Sequence, residues 1–306
     1  MANIGSAATV VYKMTTLFCF GLGYSAQYYL ACYGGRFGHL WGTVRDVKRA
    51  ADLSSRAQPA ISVLAFDGKT ASADLVAAIA QAESVLVSVP PNASGDPVLM
   101  TCGDALTHAT RLRAIVYLSN VGVYGNYDGA WVDEESECLA SEPRHRQRLA
   151  AERAWQDLGV RIGVPVAILR LASIYGPGRN ALENVRHGTA KRIIKPGQVF
   201  NRIHVADIAQ AIEAAFSRRS DGIFNVADDE PASPGDPIVF AAQLLGVEPP
   251  PEVPFSEARA AMTELGASFY TDVRRVRNNK LKSILGVTLR YPTFREGLTT
   301  LLHGAE

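Results

Sequence analysis

The chain has 306 residues, of which 47% are hydrophobic and 20% charged, and 31 Lys and Arg residues balance 30 Asp and Glu residues to a formal charge of +1. This composition is typical of a folded globular protein and excludes a disordered or fibrous chain. Because there is no excess of Lys and Arg to neutralise phosphates, we expect neither a nucleic acid nor an anionic membrane as a partner.

The cysteines lie far apart and contain no C-x-x-C pair, which is the pattern of neither a zinc site nor a disulfide framework. They are Cys19, Cys32, Cys102 and Cys138. We interpret them as buried, reduced thiols and expect a cytoplasmic protein.

No charged residue lies between Lys13 and Arg36, a stretch long enough to suggest a membrane span. Two glycines and a glutamine interrupt this stretch. We therefore predict a buried strand over residues 16–20, a turn, and a helix over residues 25–33 that is closed by a glycine pair.

Apolar runs alternate with helical patterns through the first two thirds of the chain. The predicted strands are Leu17–Phe20, His39–Val44, Ile61–Ala65, Ser84–Val89, Ala114–Ser119 and Val166–Leu171. The predicted helices are Ala71–Ala82, Pro97–Thr110 and Arg144–Leu158. Alternation of this kind predicts an α/β protein with a Rossmann-type, doubly wound parallel sheet covered by helices on both faces.

After about Gly176 prolines become frequent and the helical patterns become shorter. We predict a smaller C-terminal substrate lobe there, partly interwoven with the sheet. The predicted division is an accessory N-terminal extension over residues 1–13, an NAD(P)-binding Rossmann domain over 14–175 and the lobe over 176–306. Met14 directly precedes the first strand, which leaves open whether it is the native start.

The first strand runs into Gly21-Leu22-Gly23-Tyr24-Ser25-Ala26, a G-x-G-x-x-A pattern. Gly21 allows a tight turn, Gly23 lets the backbone approach a pyrophosphate, and Ala26 lets the helix pack close to the sheet. Tyr24 and Ser25 begin the helix whose N-terminus would face the phosphates. The strand before and the helix after this turn favour dinucleotide binding over a purely structural role.

The end of the second strand bears on which dinucleotide is bound. Arg45 is suited to the 2′-phosphate of NADP, whereas Asp46 is suited to the ribose 2′-hydroxyl of NAD. We predict NADP, with NAD left open, and an ordinary surface arginine is the alternative. Ligands of such sheets lie at the carboxyl ends of the strands, so Asp67 is expected at the adenine edge. By the same reasoning Ser88, Val89 and Pro90 are expected to flank the cofactor.

Five further segments form a second pattern. They are Leu118–Gly125, Arg170–Gly178, Arg202–Ala209, Phe224–Asp228 and Tyr291–Leu298. In this order they resemble motifs of the extended short-chain dehydrogenases/reductases, which include nucleoside-diphosphate-sugar epimerases and dehydratases. The resemblance runs from Thr16 to Leu302 and implies an NAD(P)-dependent oxidoreductase or epimerase acting on a small polar or nucleotide-linked substrate. It also leaves open a homodimer, which is frequent in that family.

The resemblance implies three positions for proton transfer, and this sequence departs from the family at each of them. Asn120 lies where the family has a Ser or Thr, Arg144 where it has the acid/base Tyr, and Arg148 where it has the Lys. Asn120 can still bond a substrate oxygen, and Arg148 can still hold cofactor hydroxyls or phosphates. Arg144 cannot transfer protons near neutral pH, because the pKa of a guanidinium is above 12.

Arg144 and Arg148 are four residues apart, so they share one helix face and predict a cationic site; the alternative is a solvated helix surface. A replacement acid is sought at His145, Tyr124, Tyr127 or Tyr175.

From the motif positions we expect Tyr124 and Tyr175 to have structural or substrate-lining roles, and His204 to be a packed or hydrogen-bonded residue. No residues have metal-ligand spacing. Besides the enzyme, a non-catalytic NADP(H)-binding sensor and a scaffold with a vestigial pocket stay open.

Overall fold

The computed structural model describes residues 16–304, so the predicted extension over 1–13 and the proposed start at Met14 lie outside the described residues. The strands are β1 (Thr16–Phe20), β2 (His39–Val44), β3 (Ser62–Ala65), β4 (Ser84–Val87), β5 (Ala114–Asn120), β6 (Trp131–Val132), β7 (Val166–Leu171), β8 (Ser173–Tyr175), β9 (Arg192–Ile194), β10 (Arg202–His204), β11 (Gly222–Val226), β12 (Glu252–Pro254) and β13 (Arg275–Val276). The helices are α1 (Tyr24–Tyr33), α2 (Val47–Arg56), α3 (Ala73–Gln81), α4 (Pro97–Thr107), α5 (Pro143–Ile162), α6 (Ala181–Arg186), α7 (Val205–Arg218), α8 (Asp236–Leu245), α9 (Phe255–Ala258), α10 (Glu264–Ser268), α11 (Asn279–Ser283) and α12 (Phe294–Leu302).

Seven parallel strands form the central sheet in the order β3-β2-β1-β4-β5-β7-β11. The chain reverses its direction of travel across the sheet between β1 and β4, and such a switch point opens a crevice at the carboxyl ends of the strands. Helices cover both faces, so β1, β4 and β7 are buried along their whole length. The predicted Rossmann-type α/β fold is confirmed.

Two apolar cores lie on the two faces of the sheet. One contains Tyr29 of α1 and Phe216 of α7, and the other contains Tyr117 of β5 and Trp155 of α5. All four side chains are at most 1% exposed. This packing fixes α1 and α5, the two helices whose N-terminal turns border the crevice.

The C-terminal segment contributes to the sheet and also forms a smaller layer of its own. Strand β11 pairs with β7 in the central sheet, whereas β10 pairs with β8 and β13 pairs with β6 in two-stranded ribbons. These pairings bring residues from beyond position 176 to the crevice. Within the described chain, no helix is long and apolar enough to cross a membrane.

Most element bounds agree with the sequence expectations, and the differences have local causes. Strand β4 ends at Val87 rather than Val89, and the hydroxyl of the next residue, Ser88, donates to the carbonyl of Gly21 at 2.6 Å. Helix α1 ends at Tyr33 as predicted, but Gly34 is right-handed and begins a short 3-10 turn rather than a left-handed cap.

Candidate cofactor and substrate site

Two adjoining cavities lie at the carboxyl ends of the central strands and share Pro90 and Pro91. The first, here called the glycine-loop cavity, has a volume of about 640 Å³, and the second, the arginine cavity, about 480 Å³. The glycine-loop cavity is lined by Gly21, Leu22, Gly23, Thr43, Val44, Arg45, Asp46, Arg49, Phe66, Asp67, Gly68, Ser88, Val89, Pro90, Pro91, Asn92 and Pro97. The arginine cavity is lined by Pro90, Pro91, Asn120, Val121, Gly122, Arg144, His145, Arg148, Leu171, Ala172, Ser173, Ile174, Arg179, Ser268, Phe269, Asp272 and Arg274.

Gly21 is required by the protein's own backbone. Its φ is +86°, a conformation that side chains disfavour, and a Cβ there would lie 2.9 Å from the hydroxyl of Ser88. Its N–H donates to Thr43 Oγ1 at 2.9 Å. Gly21 therefore shapes the turn and ties β1 to β2.

Gly23, by contrast, is not required by anything within the described chain. Its φ is −83°, which any residue adopts, and the nearest atom to an added Cβ would be Ser88 Oγ at 4.0 Å. It is the N-cap of α1, and among residues 16–304 there is no side-chain cap at this helix end. Open space in front of uncapped N–H groups fits the pyrophosphate of a dinucleotide, because helix N-termini bind anions.

The three residues after Gly23 lie in the helix and are absent from the cavity walls. Ala26 is fully buried, Ser25 is 8% exposed, and the Tyr24 hydroxyl donates to the carbonyl of Pro177 at 2.9 Å. Any contact of these residues with a phosphate would therefore use their backbone N–H groups.

The rim of the glycine-loop cavity carries two arginines. Arg45 follows β2, and Arg49 lies in the first turn of α2; both are exposed. Asp46 Oδ1 accepts from the N–H of Arg49 at 2.9 Å and so caps α2, while Asp67 Oδ1 accepts from the N–H of Lys69. The sequence analysis missed Arg49, although its position four residues after Arg45 at the start of a helix would have indicated it.

The three residues at the family's proton-transfer positions lie together on the wall of the arginine cavity. Asn120 ends β5, and its Oδ1 accepts from the N–H of Gly122 at 2.9 Å. Arg148 Nη1 donates to the carbonyl of Leu118 at 3.0 Å and to the hydroxyl of Tyr117 at 3.2 Å. Arg148 is thus tethered to β5, the strand at the centre of the site.

Arg144 lies one turn earlier on α5 and is only partly tethered. Its Nε donates to His145 Nε2 at 3.2 Å, and its guanidinium lies 4.8 Å from the ring centroid of Phe269. Its Nη2 is buried and has no hydrogen-bond partner among residues 16–304. Arg144 therefore retains a donor beside the cavity.

Two more arginines complete the arginine cavity, and the sequence analysis missed both. Arg179 directly follows the Arg170–Gly178 motif, which would have indicated it. Arg274 donates to the carbonyl of Gly125 at 2.7 Å and lies 3.4 Å from Asp272 Oδ2. No motif contains Arg274, and it reaches the cavity because β13 pairs with β6.

The three candidate tyrosines have their hydroxyls engaged elsewhere. Tyr124 is fully buried and donates to Asn225 Oδ1 at 2.7 Å, Tyr127 donates to the carbonyl of Glu137, and Tyr175 donates to the carbonyl of Thr293. Burial raises the pKa of Tyr124 to about 12. Within residues 16–304, no tyrosine lines either cavity, and the hydrogen bonds of Tyr124 and Tyr175 within the fold agree with the structural one of their two expected roles.

His145 lies in the arginine cavity, but it is neutral at pH 7. Burial, together with the charges of Arg144 and Arg274, lowers its pKa to about 4. It packs beneath the turn after β5, where a Cβ on Gly122 would lie 2.3 Å from His145 Nε2. Its neutral ring serves as an acceptor for Arg144.

His204 is fully buried, as expected for a packed residue, and its Nδ1 accepts from the N–H of Ala206 at the start of α7. Burial and the charge of Arg290 lower its pKa to about 3.

The His204→Asn substitution is expected to reduce the loss in the free energy of unfolding that occurs as the pH falls from 7 to 5. Since the unfolded chain takes up a proton near pH 6.5 and the folded chain does not, His204 makes the protein less stable as the pH falls. Between pH 7 and pH 5 this loss is about 2 kcal/mol. Asparagine keeps a capping oxygen and does not titrate. Urea unfolding at both pH values checks the difference, and an equal pH dependence in both proteins would contradict it.

Below the arginine cavity lies a buried polar network. Arg170 Nη2 lies 2.8 Å from Glu152 Oε2, and their side chains are 3% and 1% exposed. The Ser119 hydroxyl donates to Glu152, and the Arg170 guanidinium lies 4.8 Å from the ring centroid of Tyr124. The network connects α5, β5 and β7 and so holds the floor of the cavity. No group of three or more potential metal ligands occurs in the described residues.

Comparison with known proteins places this geometry in a family. Residues 98–227 match the model of the NAD dependent epimerase/dehydratase family. A functionally unknown conserved protein from Silicibacter pomeroyi is 39% identical, with a TM-score of 0.84 over 95% of this chain and 99% of that one. The human epimerase family protein SDR39U1, solved with NADPH, is 16% identical, with a TM-score of 0.72 over 94% of this chain and 99% of that one.

A curated relative, the 3-diazoavenalumate denitrifying reductase of a Streptomyces species, is 29% identical over 139 residues. This match covers 43% of the present chain and 45% of the reductase, so the chain spans less than half the length of that relative. The seven-stranded fold, the glycine loop and the family-model match agree with one another. Residues 98–227 of the chain therefore form part of a domain of the NAD-dependent epimerase/dehydratase type.

Proposed function

We propose that this protein is an NADP(H)-dependent oxidoreductase of epimerase-like ancestry, in which Asn120, Arg144 and Arg148 replace the usual proton-transfer residues. One observation carries the proposal: Gly23 leaves open space at the uncapped N-terminus of α1, and the cavity there adjoins the arginine cavity at Pro90 and Pro91. A dinucleotide along this path would have its phosphates at α1 and its nicotinamide near the shared prolines. The arginine cavity would then contain the substrate.

The chemistry divides between the cofactor and the chain. When bound, reduced nicotinamide supplies a hydride, that is, one proton and two electrons. Arg148, tethered to β5, would hold cofactor hydroxyls or phosphates, and Asn120 would bond a substrate oxygen. The proton that completes a reduction would come from water, because His145 is neutral and the tyrosines lie outside the cavity.

Reduction fits this set of residues better than epimerisation. Epimerisation needs an acid/base residue that removes and returns a proton, whereas a one-way reduction needs only a hydride and an accessible proton. The reductase named among the relatives supports the same choice. The substrate is proposed to be a small polar molecule, and a nucleotide-linked one is the family alternative.

NADP is proposed over NAD because of the cavity rim. Arg45 and Arg49 both line it, so two guanidinium groups can face a 2′-phosphate. Asp46 Oδ1 already accepts from the N–H of Arg49 as the cap of α2, which leaves only the second carboxylate oxygen for a ribose hydroxyl. The family description names NAD, so the rim arginines alone carry the choice of NADP.

The Arg45→Ala substitution is expected to weaken NADPH binding roughly tenfold while changing NADH binding little, because only NADPH has the phosphate. Lys48→Ala is the matched control: Lys48 is exposed on the same turn but does not line the cavity. Fluorescence titration of each cofactor measures the two dissociation constants. Equal losses for NADPH and NADH would refute the proposed choice.

A non-catalytic NADP(H)-binding sensor is the second candidate, and the engaged hydroxyls of Tyr124, Tyr127 and Tyr175 favour it. The two functions differ in turnover. Purified protein with saturating NADPH is mixed with carbonyl compounds, organic acids and sugar nucleotides while the absorbance of NADPH is followed. Consumption that depends on substrate supports the enzyme, whereas tight NADPH binding without consumption supports the sensor. Failure to bind NADPH and NADH at millimolar concentration contradicts both.

A further inference from the structure

We propose that the arginine cavity binds its substrate through a carboxylate held by Arg144 and Arg274, with the apolar or aromatic body of the substrate packed against Phe269 and the aliphatic wall. This assignment rests on the proposed function only in taking the cavity as the substrate site.

The charges in the cavity wall favour an anion. Arg144, Arg148, Arg179 and Arg274 line this space, and Asp272 is the one carboxylate among the lining residues that the structure describes. The Asp272 side chain is only 8% exposed and already lies against Arg274. An anionic ligand would therefore meet a strong excess of positive charge in a partly desolvated space, where electrostatic attraction is greater than in water.

Unused donors indicate where the anion would bind. Arg144 Nη2 and Arg274 Nε are buried, and neither has a hydrogen-bond partner in the described part of the chain. Both arginines line this one cavity, together with His145. A buried cationic N–H without an acceptor is costly. Two such donors on two side chains match the two oxygens of one carboxylate.

The remaining walls indicate the body of the substrate. Val121, Leu171, Ala172, Ile174 and the two shared prolines supply aliphatic surface. The Phe269 ring is 53% exposed and packs on Arg144. Sugar hydroxyls that face this aliphatic part of the wall would lose their hydration without gaining hydrogen bonds. An apolar or aromatic carboxylic acid fits better than a nucleotide-linked sugar.

The test compares a carboxylate with its neutral isostere. Isothermal titration calorimetry is run with cinnamate, cinnamamide and hexanoate, each with and without saturating NADPH. Binding of the carboxylates can then be interpreted even if NADPH does not bind. We expect cinnamate to bind roughly tenfold or more tighter than cinnamamide, because a charge-assisted pair is lost in the amide. Failure of NADPH binding would contradict the proposed function, whereas failure of both carboxylates to bind would overturn the present assignment.

Substitutions locate the contact. Arg144→Gln is expected to weaken cinnamate binding roughly tenfold. Arg144→Lys is expected to weaken it less, because lysine keeps the positive charge but lacks the paired N–H donors of a guanidinium. Arg274→Gln is the second variant, with thermal unfolding as a check because Arg274 also holds the Gly125 carbonyl. Arg146→Gln is the matched control, since Arg146 is exposed on the same helix and outside the cavity.

Further outcomes would also overturn the assignment. They are equal binding of cinnamate and cinnamamide, unchanged cinnamate affinity in folded Arg144→Gln and Arg274→Gln proteins, and displacement of cinnamate by inorganic phosphate at equal affinity. The last outcome would identify a general anion site. Preferential binding of UDP-glucose over both carboxylates would favour the nucleotide-linked alternative and reject the proposal.

Discussion

The Gly23→Ser protein is expected to fold as stably as the parent and to lose NADPH and NADH affinity roughly 100-fold, which corresponds to about 3 kcal/mol. The φ of −83° at Gly23 suits serine, and an added Cβ would meet no atom closer than 4.0 Å. Serine is also a favourable N-cap, so its hydroxyl would bond the N–H groups of α1 and occupy the space proposed for the pyrophosphate. The substitution should therefore lower the affinity for the cofactor without lowering the free energy of unfolding.

The neighbouring glycine gives the matched comparison. Gly21→Ala is expected to lower stability, because φ is +86° and the added methyl would lie 2.9 Å from Ser88 Oγ. Urea unfolding and cofactor titration are measured for both variants. If Gly23→Ser binds NADPH as tightly as the parent protein, the pyrophosphate does not lie at the N-terminus of α1, and the proposed cofactor path is wrong.

The contrast between the two glycines explains how far the sequence could predict this part of the site. The strand–turn–helix pattern is local, so β1, the turn and α1 could be located from residues close together in the chain. The same pattern could not show that the two glycines differ. Gly21 is needed for its own backbone conformation, whereas the space beside Gly23 is open and the fold itself would accept a side chain there. That distinction depends on Ser88, which is brought there by β4.

The substrate side of the site was less predictable because its residues come from distant segments. Tyr124 follows β5 as the motif implied, yet its hydroxyl turns to Asn225 on β11, a strand that the sequence analysis had not identified. Arg274 and Phe269 belong to the C-terminal lobe, and pairings between short strands position them. Motif position predicted which segments meet, but not which way their side chains face.

Arg144 and Arg148 were predictable as a pair, because helical spacing alone puts them on one face. Their roles differ in the structure for reasons beyond that helix. Arg148 is held by the carbonyl of Leu118, whereas Arg144 lies against Phe269 and keeps an unused donor. Helical spacing alone does not distinguish a tethered arginine from one that keeps an unused donor.

The largest loss of stability is expected from breaking the buried Glu152–Arg170 ion pair, which lies below these arginines. Glu152→Gln is expected to lower the free energy of unfolding by about 3–5 kcal/mol, because it leaves the Arg170 charge buried without its counter-ion. The pair is 2.8 Å apart, and both side chains are at most 3% exposed. Urea denaturation at pH 7 measures the change.

An exposed pair provides the control, and a double variant tests the cause. Glu183→Gln removes the partner of Arg186 on α6, where the side chains are 31% and 40% exposed, and is expected to cost less than about 1 kcal/mol. Glu152→Leu combined with Arg170→Met removes both charges and should be more stable than Glu152→Gln, because no uncompensated charge remains. If the double variant is the less stable of the two, the attraction between the charges itself stabilises the fold. The network would then contribute to stability in its own right, beyond holding Ser119 and Tyr124 in place below the cavity.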